Sequence, residues 1–149
     1  MSFTIKKLEP DNIELAKQLF LFFQTDDGVV NPVVPSDEYL KVLLLKDDFH
    51  VIVAMRDKAM IGGLTAYELP MYKEEIKEMF LYEIAVIPEH RGKGVGKALI
   101  ESLKKIGIAK GMKEMYVGTN TSNQAAMKLY HATGGKLETA TEWFVYKLS

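Results

Sequence analysis

The chain has 149 residues, 48% hydrophobic and 26% charged, with a formal net charge of −1; this is the profile of a single soluble globular domain, here 1–149, long enough to bury a core without covalent staples. It has no cysteine, which excludes disulfides, thiolate metal sites and a thiol nucleophile. The near-neutral balance argues against a dedicated nucleic-acid binder, no apolar run reaches the about 18 residues of a membrane span, and the first seven residues lack the basic start and apolar stretch of a signal peptide, so a cytoplasmic protein with neither nucleic-acid nor membrane partners is expected.

Residues 2–8 alternate weakly and read as a first strand. Pro10-Asp11-Asn12 opens a helix with Asp11 as N-cap, and Leu15, Leu19, Phe22 and Phe23 mark its buried face. Residues 25–35 are loop-like, and Ser36 caps a second helix running to about Leu45. Residues 49–55 and 60–69 form two strands around the turn Arg56-Asp57-Lys58, the second softened by Gly62-Gly63. Residues 78–86 are the most apolar strand, ended by Pro88. A helix from about Gly94 to Lys110 buries Val95, Leu99, Leu103 and Ile106, with Gly111 at its C-terminal cap. A short strand at 115–117, a helix from Ser122 to about Ala132 ended by Gly134-Gly135, and a last strand at 142–148 complete the order. The architecture expected is an α/β fold: a mixed, mostly antiparallel sheet of six to seven strands with helices on both faces.

Charge is segregated. Residues 24–48 carry six acids and two lysines, residues 66–83 five acids and two lysines, and residues 88–113 seven bases and two acids. Single runs of this kind are usually solvated faces; together they suit a protein that holds an anion on one side and a cation on the other. The basic stretch contains Arg91-Gly92-Lys93-Gly94-Val95-Gly96 between a strand and a helix. Glycines let the backbone approach a ligand, and the free N–H groups and dipole of the first helical turn favour phosphate. The spacing fits neither the P-loop, because Lys97 follows Gly92 without a second glycine at the position that motif requires, nor the dinucleotide fingerprint, because the third glycine comes one position early.

Arg91-x-x-Gly94-x-Gly96, preceded by Leu81-Tyr82-Glu83-Ile84-Ala85-Val86, resembles motif A of the GNAT N-acetyltransferase superfamily, and Asn123-x-x-Ala126-x-x-x-Tyr130 followed by Gly134-Gly135 resembles its motif B. The resemblance spans nearly the whole chain. It implies a sheet splayed between the fourth and fifth strands and an acetyl-CoA site in the wedge. Backbone groups of Arg91, Gly92, Lys93, Gly94, Val95, Gly96 and Lys97 would hold the pyrophosphate. Ile84, Ala85 and Val86 would pair with pantetheine, the Val86 N–H would face the oxyanion, and Asn123 and Tyr130 would contact the cofactor. A homodimer is implied by the same resemblance.

Acetyl transfer from a thioester to an amine needs a base for the amine, a donor for the oxyanion and a proton for the departing thiolate. Without cysteine, direct attack is the simplest course, with rate drawn largely from proximity. Glu83 is the only charged side chain in 79–87; desolvation there would raise its pKa towards that of a useful base, acting directly or through water. A sheet-edge or ion-paired carboxylate is the alternative. Tyr130 is the candidate acid, with a packed aromatic as its alternative, and Asn123 also suits a helix cap. His50 and His131 lack partners at metal-ligand spacing and read as structural, His90 precedes the anion loop and reads as lining it, and no metal site is expected. Trp143 and Tyr146 read as core or interface.

Within the superfamily the chain is most similar to the gentamicin-type aminoglycoside 3-N-acetyltransferases, through Ser36-Asp37-Glu38-Tyr39-Leu40, Gly63-Leu64-Thr65-Ala66-Tyr67-Glu68-Leu69-Pro70, the strand containing Glu83 (where that subfamily usually has Asp) and Glu89-His90-Arg91. The acidic residues that the subfamily carries before motif B have no counterpart in 119–124. Asp26, Asp27, Glu68, Glu74, Glu75 and Glu142 are left as acids for an acceptor cleft. The resemblance implies a small-molecule amine acceptor, aminoglycoside-like first, with a protein or peptide amine, or a non-catalytic acyl-CoA-binding module, as alternatives.

Overall fold

The structure is a computed structural model, described here for residues 2–149. The chain divides into two compact units, one running to Gly118 and the other Thr119–Ser149. The first contains strands β1 (Thr4–Lys7), β2 (Phe49–Arg56), β3 (Ala59–Pro70), β4 (Lys77–Val86) and β5 (Met115–Tyr116), and helices α1 (Ile13–Asp26), α2 (Asp37–Leu45) and α3 (Val95–Ala109). The second contains α4 (Gln124–Ala132).

The sheet runs β1-β2-β3-β4-β5 in chain order. The first three pairings are antiparallel; β4 and β5 are parallel, because α3 carries the chain back between them. β5 pairs with β4 only through Met79↔Met115 and Phe80↔Tyr116. From Leu81 onward β4 has no strand on that side among the described residues, which is the splay expected between the fourth and fifth strands.

Strand alternation sorts the sheet into two buried faces. On one, Phe49, Val51 and Val53 join Ala16, Leu19 and Phe23 of α1 and Leu44 of α2 in a single core cluster. Gly63 lies on this face, where a Cβ would meet Leu19 Cδ1 at 2.7 Å and the Ile52 carbonyl at 2.9 Å. The absence of a side chain is what lets α1 settle on the sheet. On the other face α3 packs over β2, β3 and β4, burying Val95, Leu99 and Leu103.

That second face contains a buried polar group. Glu68 Oε2 accepts from His50 Nε2 on β2 and, at 2.6 Å, from Lys110 Nζ at the end of α3, while Lys77 Nζ on β4 lies 3.5 Å from Oε1. The side chains of Glu68 and His50 have no solvent exposure. One carboxylate thus ties together β2, β3, β4 and α3, and a buried charge is tolerated because it is paired several times over.

Ser36 caps α2 as expected, its Oγ accepting from the Tyr39 N–H at 3.2 Å. Elsewhere local chemistry differs from the sequence reading. Asp11 does not cap α1; a 3-10 turn, Pro10–Asn12, precedes it and is closed by a reciprocal box between Glu9 and Asn12. Asn123, rather than Ser122, caps α4, with Oδ1 accepting from the Ala126 N–H at 3.1 Å, while the Ser122 hydroxyl donates to Asn120 Oδ1.

The strand expected at 142–148 does not form, so the described sheet has five strands rather than six or seven. Trp143, Phe144 and Tyr146 are 74–85% exposed instead of packed in a core. An alternating pattern supplies two faces, but a strand exists only as a ladder of hydrogen bonds to a partner, and in this structure the segment has none.

Stability should fall with acid in two stages. Burial lowers the pKa of His50 despite its bond to Glu68, so the neutral imidazole belongs to the fold. Its contribution is therefore lost as pH drops below about 6.5, where the unfolded chain takes up a proton first. Burial alone would raise Glu68, but Lys110 and His50 outweigh it and hold the carboxyl below its usual value. That contribution is present above about 4.3 and lost as pH falls through the depressed native value. Thermal melts from pH 8 to 3 should show both losses, and His50→Gln, which keeps a donor, should remove the upper one alone.

Candidate active site

The site in the first unit depends on a β-bulge. Thr65 pairs with Glu83 but the next residue, Ala66, pairs with Leu81, so Tyr82 is an extra residue on β4. In a regular strand Tyr82 and Glu83 would face opposite sides. The bulge breaks the alternation, and both side chains line the same cavity, of about 340 Å³.

Phe20, Phe23 and Asp27, contributed by α1 and its C-terminal cap, form one wall of this cavity; Phe49, Tyr67, Tyr82 and Glu83 line it from the sheet. Three of the rings are in contact, Phe49 with Tyr67 at 4.9 Å between centroids and Tyr67 with Tyr82 edge-on at 5.7 Å. In these surroundings burial raises the pKa of Glu83, and the negative charge of Asp27 raises it further. Burial likewise raises the Tyr67 phenol. Aromatic faces with two carboxylates among them suit an amine: the rings take its apolar body and the acids its charge.

The glycine loop follows the free end of β4. Gly92 and Gly94 have φ of +71° and +85°, a region other residues enter only with strain. Gly94 is the cap from which α3 begins, so the unpaired N–H groups of the first turn of α3 open towards the loop. Gly62 keeps β3 close to the strand end, since a Cβ there would meet the Ala85 carbonyl at 2.9 Å. Lys93 and Lys97 are exposed beside the loop. Arg91 is turned elsewhere: its Nε donates to the Val86 carbonyl at 2.7 Å and its Nη2 to Asp26 Oδ1 at 2.9 Å.

In the second unit Tyr130 is half-buried on α4, and burial raises its phenol pKa. The chain folds back tightly on it, with the Gly135 N–H donating to the Tyr130 carbonyl at 2.8 Å. Asn123 is committed to its helix cap.

Of the acids left for an acceptor cleft, Asp27 lines the cavity. Asp26 holds Arg91, Glu68 is buried in the ion cluster on the opposite face, Glu74 pairs with Lys113, and Glu75 and Glu142 are exposed. His50 uses its Nε2 on Glu68, while its buried Nδ1 has no hydrogen-bond partner. Sequence reasoning missed the aromatic wall and the partner of Arg91. Phe49 and Tyr67 could have been grouped by strand alternation, and Tyr82 with them two residues after Phe80, which stands opposite Tyr67; alternation puts Glu83, not Tyr82, on the wrong face.

The Acetyltransferase (GNAT) family matches residues 16–134. The aminoglycoside N(6')-acetyltransferase type 1 of Salmonella typhimurium is 31% identical over 109 residues, covering 69% of this chain and 75% of that one. An aminoglycoside acetyltransferase from an uncultured soil metagenomic sample, solved with sisomicin, superposes with a TM-score of 0.93 at 28% identity, covering 99% of this chain and 97% of that one. The aminoglycoside N-acetyltransferase AAC(6')-Iy, solved with CoA, gives 0.77 at 26% identity over 99% and 96% of the two chains. The chain spans only 31% and 42% of the lengths of two mammalian N-acetyltransferase relatives that it also matches. On this match the chain belongs to the GNAT acetyltransferase family. Among the described residues no helix is long and apolar enough to cross a membrane.

Two measurements test the site as a physical object. The carboxyl of Glu83, followed by NMR, should titrate above the ordinary glutamate value of about 4.3, and Asp27→Asn should bring it down. A raised native pKa means that the ionised carboxylate opposes folding once pH exceeds the unfolded value. Glu83→Gln should therefore melt at the same temperature as the parent or higher at pH 7. Gly94→Ala should lower stability by about 1–2 kcal/mol through the left-handed strain, read as a lower melting temperature.

Proposed function

We propose that this chain is an acetyl-CoA-dependent N-acetyltransferase that acetylates a primary amine of a small molecule, acting as one domain over 1–149. The carrying observation is Glu83: a carboxylate of raised pKa in an apolar, aromatic-walled cavity, with Asp27 as the second acid. A cavity of about 340 Å³ suits a small molecule or one ring of a larger one, which favours this reading over a peptide groove. The relatives named above make an aminoglycoside-like amine the first acceptor to test, acetylated at a 3-N or 6'-N position.

The residues present fit acetyl-CoA. The left-handed glycines and free helix N-terminus of residues 91–97 suit a pyrophosphate. The backbone of Ile84, Ala85 and Val86 lies beyond the last β4–β5 pair and is open to an extended chain. Asn123 and Tyr130 complete the proposed set. When bound, the thioester supplies an acyl carbon that an amine attacks as the C–S bond breaks. Glu83 takes the amine proton, directly or through one water. The Val86 N–H is the proposed donor to the acyl oxygen. The Tyr130 phenol, kept protonated by its raised pKa, donates a proton to the departing sulfur. A cytoplasmic homodimer is part of the same reading.

CoA release measured across aminoglycosides, polyamines, amino acids and short peptides tests the proposal. Turnover of a small amine with kcat/KM at or above about 10⁴ M⁻¹s⁻¹ is expected; acetyl-CoA binding with no turnover on any amine would leave only the binding module. Glu83→Gln should cut kcat about 10²-fold or more, and the acid limb of the wild-type pH profile should lie above the ordinary glutamate range, because protonation removes the base. Tyr130→Phe should cost about tenfold or more with acetyl-CoA and less with a thioester whose thiol is a better leaving group.

A further inference from the structure

Helix α1 ends against the rule for its own dipole. The C-terminus of a helix carries partial negative charge and favours cations, yet α1 closes on Asp26 with Asp27 as its cap, and its last turn has no basic residue. Local conflicts of this kind tend to sit at functional positions. Here the compensation comes from far along the chain: the guanidinium of Arg91, 65 residues away, donates to Asp26 Oδ1 at 2.9 Å.

The same guanidinium uses its Nε to hold the carbonyl of Val86, the last residue of β4, at 2.7 Å. Neither partner lines the cavity itself, but each belongs to an element that does. The last turns of α1 and its cap bring Phe23, Gln24 and Asp27; the end of β4 brings Tyr82 and Glu83. Among the described residues no strand braces β4 on its far side beyond Phe80. We propose that Arg91 is a positioning residue of the acceptor cavity: its fork clamps the end of α1 to the free end of β4, fixing Asp27 and Glu83 relative to each other, and so links the acceptor cavity to the loop it belongs to.

This assignment rests on the reading of the cavity as the acceptor site, and it parts from the expectation that Arg91 serves the cofactor. A planar fork can hold a carboxylate and a carbonyl together in a way that the single ammonium of a lysine cannot. The ion pair itself is half-exposed, with side-chain exposures of 48% and 34%, so its worth in stability is small. Its effect is expected in geometry, where small misplacements are felt in substrate binding.

The test is steady-state kinetics of Asp26→Asn, Arg91→Lys and the double variant on the best amine found. Asp26→Asn should raise the acceptor KM about three- to tenfold while the KM for acetyl-CoA stays within about twofold, the range expected when one contact that orients the site is lost. Arg91→Lys should raise the acceptor KM similarly, and the double variant should be no worse than the poorer single. Asp26→Asn behaving as wild type while Arg91→Lys raises the KM for acetyl-CoA would overturn the proposal and return Arg91 to the cofactor. Unchanged acceptor KM in both variants would overturn it too. Should no amine be turned over by the parent, the functional reading fails separately. The clamp is then read by amide exchange in the full chain: faster exchange at residues 20–29 in Asp26→Asn supports it, and unchanged exchange refutes it.

Discussion

The extra residue at Tyr82 is the constraint on which the arrangement of the cavity depends. A strand carries its side chains alternately to two faces, and on this sheet both faces are needed: one for α1 and α2, the other for α3. Upstream of the bulge, Leu81 and Met79 are buried with the Glu68 face. Without the shift, Glu83 would fall on their face among the packing of α3. With it, Glu83 stands opposite Thr65 and lines the cavity beside Tyr82. One unpaired residue thus turns the second half of the strand from the core towards the cavity.

Two carboxylates, Glu68 buried and Glu83 half-buried, show how environment divides roles. Glu68 is held charged by Lys110 and His50 and secures strands and helix to one another. Glu83 is desolvated and feels the further negative charge of Asp27. The first is pulled below the ordinary range and adds to stability at neutral pH; the second is pushed above it and subtracts. A group kept at a cost to folding, in a cavity, is the physical pattern expected of a base.

The glycines divide in the same way. Gly92 and Gly94 have open space around the Cβ position but left-handed backbone, so conformation is what requires them. Gly62 and Gly63 have no left-handed backbone but no room either, since a side chain would bring its Cβ to within 2.7–2.9 Å of neighbouring atoms. The first pair shapes the loop that leads into α3; the second lets α1 and β4 close on β3.

Sequence by itself determined the order of elements as far as the last helix and the glycine loop with its helix start, because these depend on short-range rules: alternation, helical spacing, caps and the left-handed tolerance of glycine; the family was legible through the resemblance of two motifs. It also singled out Glu83, as the lone charge in an apolar run. It misjudged what depends on a partner. The segment containing Trp143 and Tyr146 alternates like a strand but has no ladder here. Asn123 rather than Ser122 caps the start of the last helix because both side chains fit the cap and only the turn geometry chooses. Glu68 and Asp27 stand in similar acidic segments and end up on opposite faces of the sheet, one against Lys110 and one in the cavity. Arg91 sits in a loop that reads as phosphate-binding, and its two acceptors are 5 and 65 residues away. Pair formation over such separations is fixed by the register of β3 on β4 and by the approach of α1, and no local pattern encodes either. The tertiary structure alone decided which charges meet, which stand apart, and therefore where chemistry can occur.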